Sequence, residues 1–268
     1  KVNFLICTNK SHILWMTVAY CLFMTYKHFL SSSDNSYLNT INIIGNPFSY
    51  PYKAELMDLL YSIPVKKNFY LTASTACRFI KEIQQIDLPN YELYIYYEQE
   101  EASIHHILTE KQIPFHWIYL ISSEKQYEDL EKLETKYGNE YVEVHPIYTG
   151  DNLPFFEENV YLAEEDILQS NYDKQDIFAH QVMNTNFWGR LSVLPDGKVY
   201  SNLNHPPLGT LKDRVYDLIV DEMTSKRAWR WIRDEVSPCK DCLFRYLCPS
   251  PSNYELVIGK PNLCHVKP

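Results

Sequence analysis

Glycine is scarce in this chain, with 7 in 268 residues. Loops that cradle phosphate need glycine for a tight turn and close backbone approach, and neither G-x-G-x-x-G nor G-x-x-x-x-G-K-[ST] occurs. Clustered basic residues are also missing. The formal net charge is -9 and the pI is about 5.5, which argues against a nucleic-acid backbone as partner. Long hydrophobic runs are lacking. Residues Ile13 to Met24 are almost wholly apolar, but these 12 residues are too few to span a bilayer. No small-x-small cleavage site follows before Tyr26-Lys27-His28, so the run reads as a buried helix. The expectation is a cytoplasmic protein with no membrane partner. Recognisable catalytic constellations are absent too: no nucleophile-base pair at defined spacing, no paired carboxylates in a recognisable loop, and no open metal site with three histidines. No catalytic residue is assigned.

What the chain has instead is aromatic residues and alternating elements. Aromatics make up 15%, with 22 tyrosines and 5 tryptophans. The length suffices for a sizeable core and one or two domains. Lysine rather than methionine stands first, so the numbering is expected to begin inside a longer chain. Strands are predicted at Val2 to Cys7, Ile41 to Ile44, Asn68 to Leu71, Tyr91 to Tyr97, Phe115 to Ile121 and Tyr141 to Ile147. Between them, helical spacing predicts helices at Ile13 to Phe29, Lys53 to Tyr61, Thr75 to Ile83, Glu101 to Lys111 and Glu124 to Tyr137. Six strand-helix units imply α/β architecture, a parallel sheet with right-handed crossovers and closure as a partial barrel.

The densest chemistry lies at the end. Four of the seven cysteines, Cys239, Cys242, Cys248 and Cys264, are separated by two, five and fifteen residues. Such spacing lets a tight turn present the first pair to one centre while loops bring the second pair round to close it. Four thiolates around one point make a metal centre. Disulfides are the weaker reading, because a chain this long needs no staples and lacks a chain-wide even cysteine framework. Zinc and iron-sulfur both accept four thiolates; zinc ribbons usually carry two short C-x2-C knuckles, and only one exists here.

The C-x2-C-x5-C run and its lone distant cysteine resemble the auxiliary-cluster motif of SPASM domains, the C-terminal modules of radical SAM peptide maturases. That resemblance implies a four-iron four-sulfur cluster on Cys239, Cys242, Cys248 and Cys264, with zinc as the alternative. It also implies that a second, inner cluster has lost its ligands, since Ser201, Arg214 and Ser252 stand at three of the family's cysteine positions. Nearer the start, Thr8 to Tyr20 is similar to the first loop of a radical SAM enzyme, with Ser11, Trp15 and Val18 at the C-x3-C-x2-C positions. None of these binds iron as cysteine does, so no S-adenosylmethionine cleavage is expected. Ile44-Gly45-Asn46-Pro47 stands where those enzymes carry G-G-E-P. The retained module and lost triad, together with Cys248-Pro249, Pro251-Ser252-Asn253-Tyr254-Glu255 and Asn262-Leu263-Cys264, resemble the pseudo-radical-SAM proteins encoded beside double-glycine peptide maturases.

The resemblance divides the chain into a degenerate radical-SAM-like partial (βα)6 barrel over 1–185 and a small SPASM-like module over 186–268. The module would hold a β-hairpin turning at Pro195-Asp196-Gly197, a helix rich in aromatic anchors at Trp229 and Trp231, and the four-cysteine metal site. The implied function is a non-catalytic partner in maturation of ribosomally made peptides, binding a precursor peptide or an active radical SAM maturase. An electron-transfer iron-sulfur protein and a structural four-cysteine metal protein serving as an interaction module are the alternatives. Among remaining candidates, Cys7, Cys21 and Cys77 read as small buried hydrophobes. His105, His106 and His116 receive no role, and His265 is a candidate hydrogen-bond partner of the cluster. Tyr94 and Tyr96, opposite Tyr91, Leu93, Ile95 and Tyr97 on their strand, pack in the barrel or line a peptide cavity. Glu157, Glu158, Glu164, Glu165 and Asp166 read as a solvated helix start that could receive a basic leader.

Overall fold

The computed structural model describes residues 2–7, 38–50, 53–97, 102–138, 141–194, 196–225 and 227–266. Ser11, Trp15 and Val18, the Ile13 to Phe29 helix and Cys21 lie outside these residues. Six strands run parallel in sequence order: β1 (Val2–Cys7), β2 (Leu38–Ile44), β3 (Lys66–Thr72), β4 (Tyr91–Tyr96), β5 (Phe115–Ile121) and β6 (Val142–Pro146). Helices α1 (Lys53–Ser62), α2 (Ala73–Ile83), α3 (Ala102–Glu110) and α4 (Glu124–Tyr137) connect β2 through β6. The parallel sheet curls as a half-barrel. No described helix is long and apolar enough to cross a membrane.

The sheet continues past β1. Strand β7 (Arg190–Val193) pairs with β1 in parallel, and β8 (Lys198–Tyr200) and β9 (Gly209–Thr210) follow antiparallel. The nine described strands therefore form one sheet in the order β6-β5-β4-β3-β2-β1-β7-β8-β9. Gly197 closes the β7–β8 hairpin at φ +80°, a conformation in which a Cβ is strained. Gly209 is closely hemmed in: a Cβ there would sit 2.7 Å from Asp213 Oδ2 and 2.8 Å from Leu218 Cδ2, so those side-chain ends would have to shift. Five further helices complete the fold, namely α5 (Leu153–Asn159), α6 (Glu164–Leu168), α7 (Lys174–Val182), α8 (Val215–Ser225) and α9 (Asn253–Ile258).

Alternation of side chains along the strands decides the layers. Ile41 and Ile43, Phe69 and Leu71, Leu93 and Ile95, and Phe115 and Trp117 all face the helices and form one core with Leu60, Ala76, Phe79 and Leu108. Cys77 packs half-buried against the same core. On the opposite face, strand register aligns Tyr70, Tyr94 and His116. Their rings stack at 4.8 and 4.9 Å, close to the spacing between neighbouring strands. Tyr94 is thus buried inside an aromatic column, and its hydroxyl donates to Glu92, which also pairs with Lys66. His116 Nε2 lies 3.5 Å from the same carboxylate.

Two expected elements differ. Trp229 and Trp231 lie beyond α8 rather than in it. The chain folds back because the buried Glu222 carboxylate accepts the Trp229 backbone N–H, and the indole donates to the Arg190 carbonyl on β7. Glu157 and Glu158 end helix α5, whereas Glu164 to Asp166 form the first turn of α6. Glu157 pairs with Lys260 at 2.8 Å on the surface.

Two outcomes follow from this core. Phe79→Ala removes a fully buried ring that meets Phe69 at 4.7 Å, and should cost about 3–5 kcal/mol in a denaturant titration. Lys67 is fully buried with its ammonium on the Pro89 carbonyl at 3.4 Å, and burial holds its pKa below the usual lysine value. The unfolded chain then binds more protons in the interval below 10.5, so stability rises with pH there. Lys67→Met should stabilise the protein at neutral pH and flatten that rise, as read from unfolding midpoints across the alkaline range.

Candidate metal centre

Each of the four cysteines is presented by a short local device. Cys239 opens a 3-10 turn, Cys239–Asp241, and the Cys242 N–H closes it on the Cys239 carbonyl at 3.0 Å. A following turn brings the Cys248 N–H to the Phe244 carbonyl, also at 3.0 Å. Cys264 comes from a separate strand-like bridge to Leu162: Leu162 donates to the Leu263 carbonyl and His265 donates to the Leu162 carbonyl, both at 3.0 Å. Helix α9 lies between the second and third device. The capping box of Ser252 and Glu255 starts it, and Gly259 ends it at φ +74°.

These devices place all four cysteines on the wall of one small cavity of about 20 Å³. Arg233 and Arg245 share the wall with apolar side chains such as Leu162 and Ile167. Cys239 is buried and the other three are half-buried, and no disulfide joins them. Among the described residues, no three His, Cys, Asp or Glu side chains already converge closely enough to hold an ion. The donor set is nonetheless of one kind. Thiols are the metal-ligating side chains on the cavity wall, which suits zinc or iron-sulfur and not calcium or magnesium.

Burial pushes the Cys239 thiol up, with Arg233 opposing and Cys264 and Cys242 adding to the rise. Burial likewise pushes Cys248 up to about 11, again opposed by Arg233 and reinforced by the other three thiols. Without a metal these shifts keep the thiols protonated; a metal bound among them would supply the compensating charge and would expel the protons.

Neighbouring groups touch two of the sulfurs. Arg233 Nη1 donates to Cys239 Sγ over 3.8 Å, and Asn262 Nδ2 donates to Cys264 Sγ over 3.2 Å. His265, the expected partner, points elsewhere: its Nε2 bonds the Glu157 carbonyl at 2.7 Å, and its ring lies against Tyr161. The bridge to Leu162 explains this, because alternation along it sends Cys264 and its successor to opposite sides. Neither Arg233 nor Asn262 was distinguishable by spacing. Arg245 stands by the Cys242 carbonyl at 3.2 Å and is held by Asp234 at 2.8 Å.

Ser201, Arg214 and Ser252, which the resemblance sets at lost cysteine positions, stand apart from the four thiols in their contacts. Ser252 caps α9, and Arg214 pairs with Asp217 at 3.7 Å at the start of α8. The Ser201 hydroxyl is buried without a hydrogen-bond partner. At the Gly45-Asn46-Pro47 turn, Asn46 caps a 3-10 turn through Phe48 N and donates to Glu82.

The thiol loops are tied to the half-barrel at several points. The Tyr254 hydroxyl donates to the Pro146 carbonyl at the end of β6, and its ring meets Phe156 in a second small core with Ile121 and Phe155. Buried His180 donates from Nδ1 to the Tyr246 carbonyl. Asn184 is fully buried and bonds four ways, donating to the Trp231 and Pro251 carbonyls and accepting from Asn186 and Phe187. The fold and site thus define a curled parallel half-barrel whose sheet runs on into a loop module with four thiols around one cavity. No protein-family model matches the chain, and no curated protein matches it significantly.

Asn184→Ala removes the side-chain partner of the Trp231 carbonyl and of the Asn186 N–H, a loss of about 1–3 kcal/mol for each, whereas the Phe187 N–H keeps the Asn184 backbone carbonyl and the Pro251 carbonyl keeps Asn186 Nδ2. Thermal unfolding should show a loss of at least that size, whereas substitution of the exposed Leu243 should leave the midpoint unchanged.

Proposed function

We propose that this chain is a non-catalytic, radical-SAM-like partner in the maturation of ribosomally made peptides. In this reading it carries one four-iron four-sulfur cluster on Cys239, Cys242, Cys248 and Cys264. The carrying observation is the cavity that these four thiols share. A single zinc draws its sulfurs to about 2.3 Å, whereas a cluster places one thiolate on each of four irons and needs room between them. The cavity's size does not separate the two, and the preference for the cluster rests on the single C-x2-C knuckle and the similarity of the cysteine run to the auxiliary-cluster motif. When bound, the cluster would supply a structural pin for the thiol loops or a site for single-electron exchange.

The chain's own residues do the rest. The loops fix the thiols, Arg233 and Arg245 supply positive charge beside them, and Asn262 donates to the Cys264 sulfur. The half-barrel would be the part that meets a precursor peptide or a maturase. Support for that step comes from the similarity of the C-terminal motifs to pseudo-radical-SAM proteins, and from the altered triad of Ser11, Trp15 and Val18. Electron transfer is the second reading. It is favoured by the half-buried state of Cys242, Cys248 and Cys264, which puts the centre near the surface.

The test is anaerobic purification with iron, sulfide and zinc quantified per chain, beside a Cys242→Ser variant. About four irons and four sulfides, lost in the variant, are expected. One zinc and no sulfide would overturn the cluster and leave a structural pin. Binding of a peptide-maturation partner is read separately, by co-purification of the wild-type chain with an active maturase and a double-glycine precursor peptide; no complex with either overturns the partner role.

A further inference from the structure

We propose that Arg233 is the residue that positions the four-cysteine centre and compensates its charge, donating to the Cys239 sulfur when the metal is bound. The inference rests on the metal-centre reading of the four thiols. Arg233 is 7% exposed, and all three of its guanidinium nitrogens bond within that neighbourhood. Nη1 donates to Cys239 Sγ at 3.8 Å and to the Pro261 carbonyl at 3.3 Å. Nε donates to the Pro249 carbonyl at 3.1 Å, and Nη2 to Glu255 Oε1 at 2.7 Å.

The placement of those acceptors matters. Pro249 directly follows Cys248, and Pro261 precedes Cys264 by three residues. One planar fork therefore holds the segments beside three of the four thiols in fixed relation. A flexible lysine ammonium has neither the donors nor the planar geometry to do this.

The counter-charge is built with equal care. Glu255 is 4% exposed, and its second oxygen accepts from Ser252 N at 2.9 Å and Ser252 Oγ at 2.5 Å. Both carboxylate oxygens are thus engaged, and Arg233 stands between the carboxylate and the Cys239 sulfur. Four thiolates around zinc or a four-iron core leave net negative charge, and a buried cation in contact with one sulfur stabilises that charge. For an iron-sulfur centre the contact favours the reduced, more negative form, so it raises the reduction potential.

The experiment compares wild type, Arg233→Lys, and the double variant Arg233→Met with Glu255→Gln, which leaves no lone carboxylate buried. The full chain is purified anaerobically. Iron, sulfide and zinc per chain, circular dichroism, the rate of metal loss to excess chelator and, for iron-loaded protein, the midpoint potential are measured. The double variant is expected to fold and to bind its metal about 10–100-fold more weakly. An iron-loaded form should titrate at a more negative potential, with Arg233→Lys between it and wild type. A folded, loaded double variant with wild-type metal loss and, if iron-loaded, wild-type potential overturns the inference and leaves the metal centre standing. Should the double variant not fold, wild-type behaviour of Arg233→Lys in the same two measurements overturns it equally. A wild-type chain that binds neither iron nor zinc overturns the metal centre itself, and this inference with it.

Discussion

The buried ion pair of Arg233 and Glu255 is the contact on which the C-terminal third is assembled. A lone buried charge is costly, and removing one partner of such a pair typically costs about 3–5 kcal/mol. Here both charges are fully engaged: the guanidinium reaches two carbonyls, a carboxylate and a sulfur, while the carboxylate is held by its own helix cap. The guanidinium's bonds end on Cys239, Pro249, Glu255 and Pro261. The helix α9, the turn after Cys248 and the approach to Cys264 therefore take their relative positions from one charged pair. The thiols line a common cavity because the backbone around them is held this way.

A second constraint joins that assembly to the half-barrel. Strand β7 pairs with β1, so the hairpin that begins the C-terminal region extends the sheet instead of standing apart from it. From the other edge, Tyr254 reaches the end of β6, and Leu162 pairs with Cys264. The segment from Leu153 to Val182 runs between these anchors and contacts the thiol loops through Glu157, Leu162 and His180.

Much of the α/β order was legible because period and run length carry it. Phe115 to Ile121 and Glu124 to Tyr137 follow their patterns to the residue, and Lys53, Thr75 and Tyr91 lie within two residues of observed element starts. The half-barrel side of the tyrosine strand was legible from alternation alone, with Leu93 and Ile95 in the core. The aromatic column of Tyr70, Tyr94 and His116 was not, because it depends on register between three strands that no single segment encodes. Trp229 was misplaced for a related reason. Its helical neighbourhood suggested a longer helix, and the bond from its N–H to buried Glu222 ended it instead.

The four cysteines and the hairpin turn were set by sequence, since a C-x2-C knuckle and a Pro-Asp-Gly turn are local and their geometry follows from a few adjacent dihedrals. So was the class of donor, because thiol spacing is a property of the chain itself. Only the tertiary structure decided which groups stand behind the sulfurs. Arg233 and Glu255 are 22 residues apart, and Asn262 rather than His265 turns to Cys264 because the bridge to Leu162 fixes which side each faces. Long-range pairing of charges and strands carries little local signal, as its free energy comes from desolvation and partner geometry that exist only after the chain has folded.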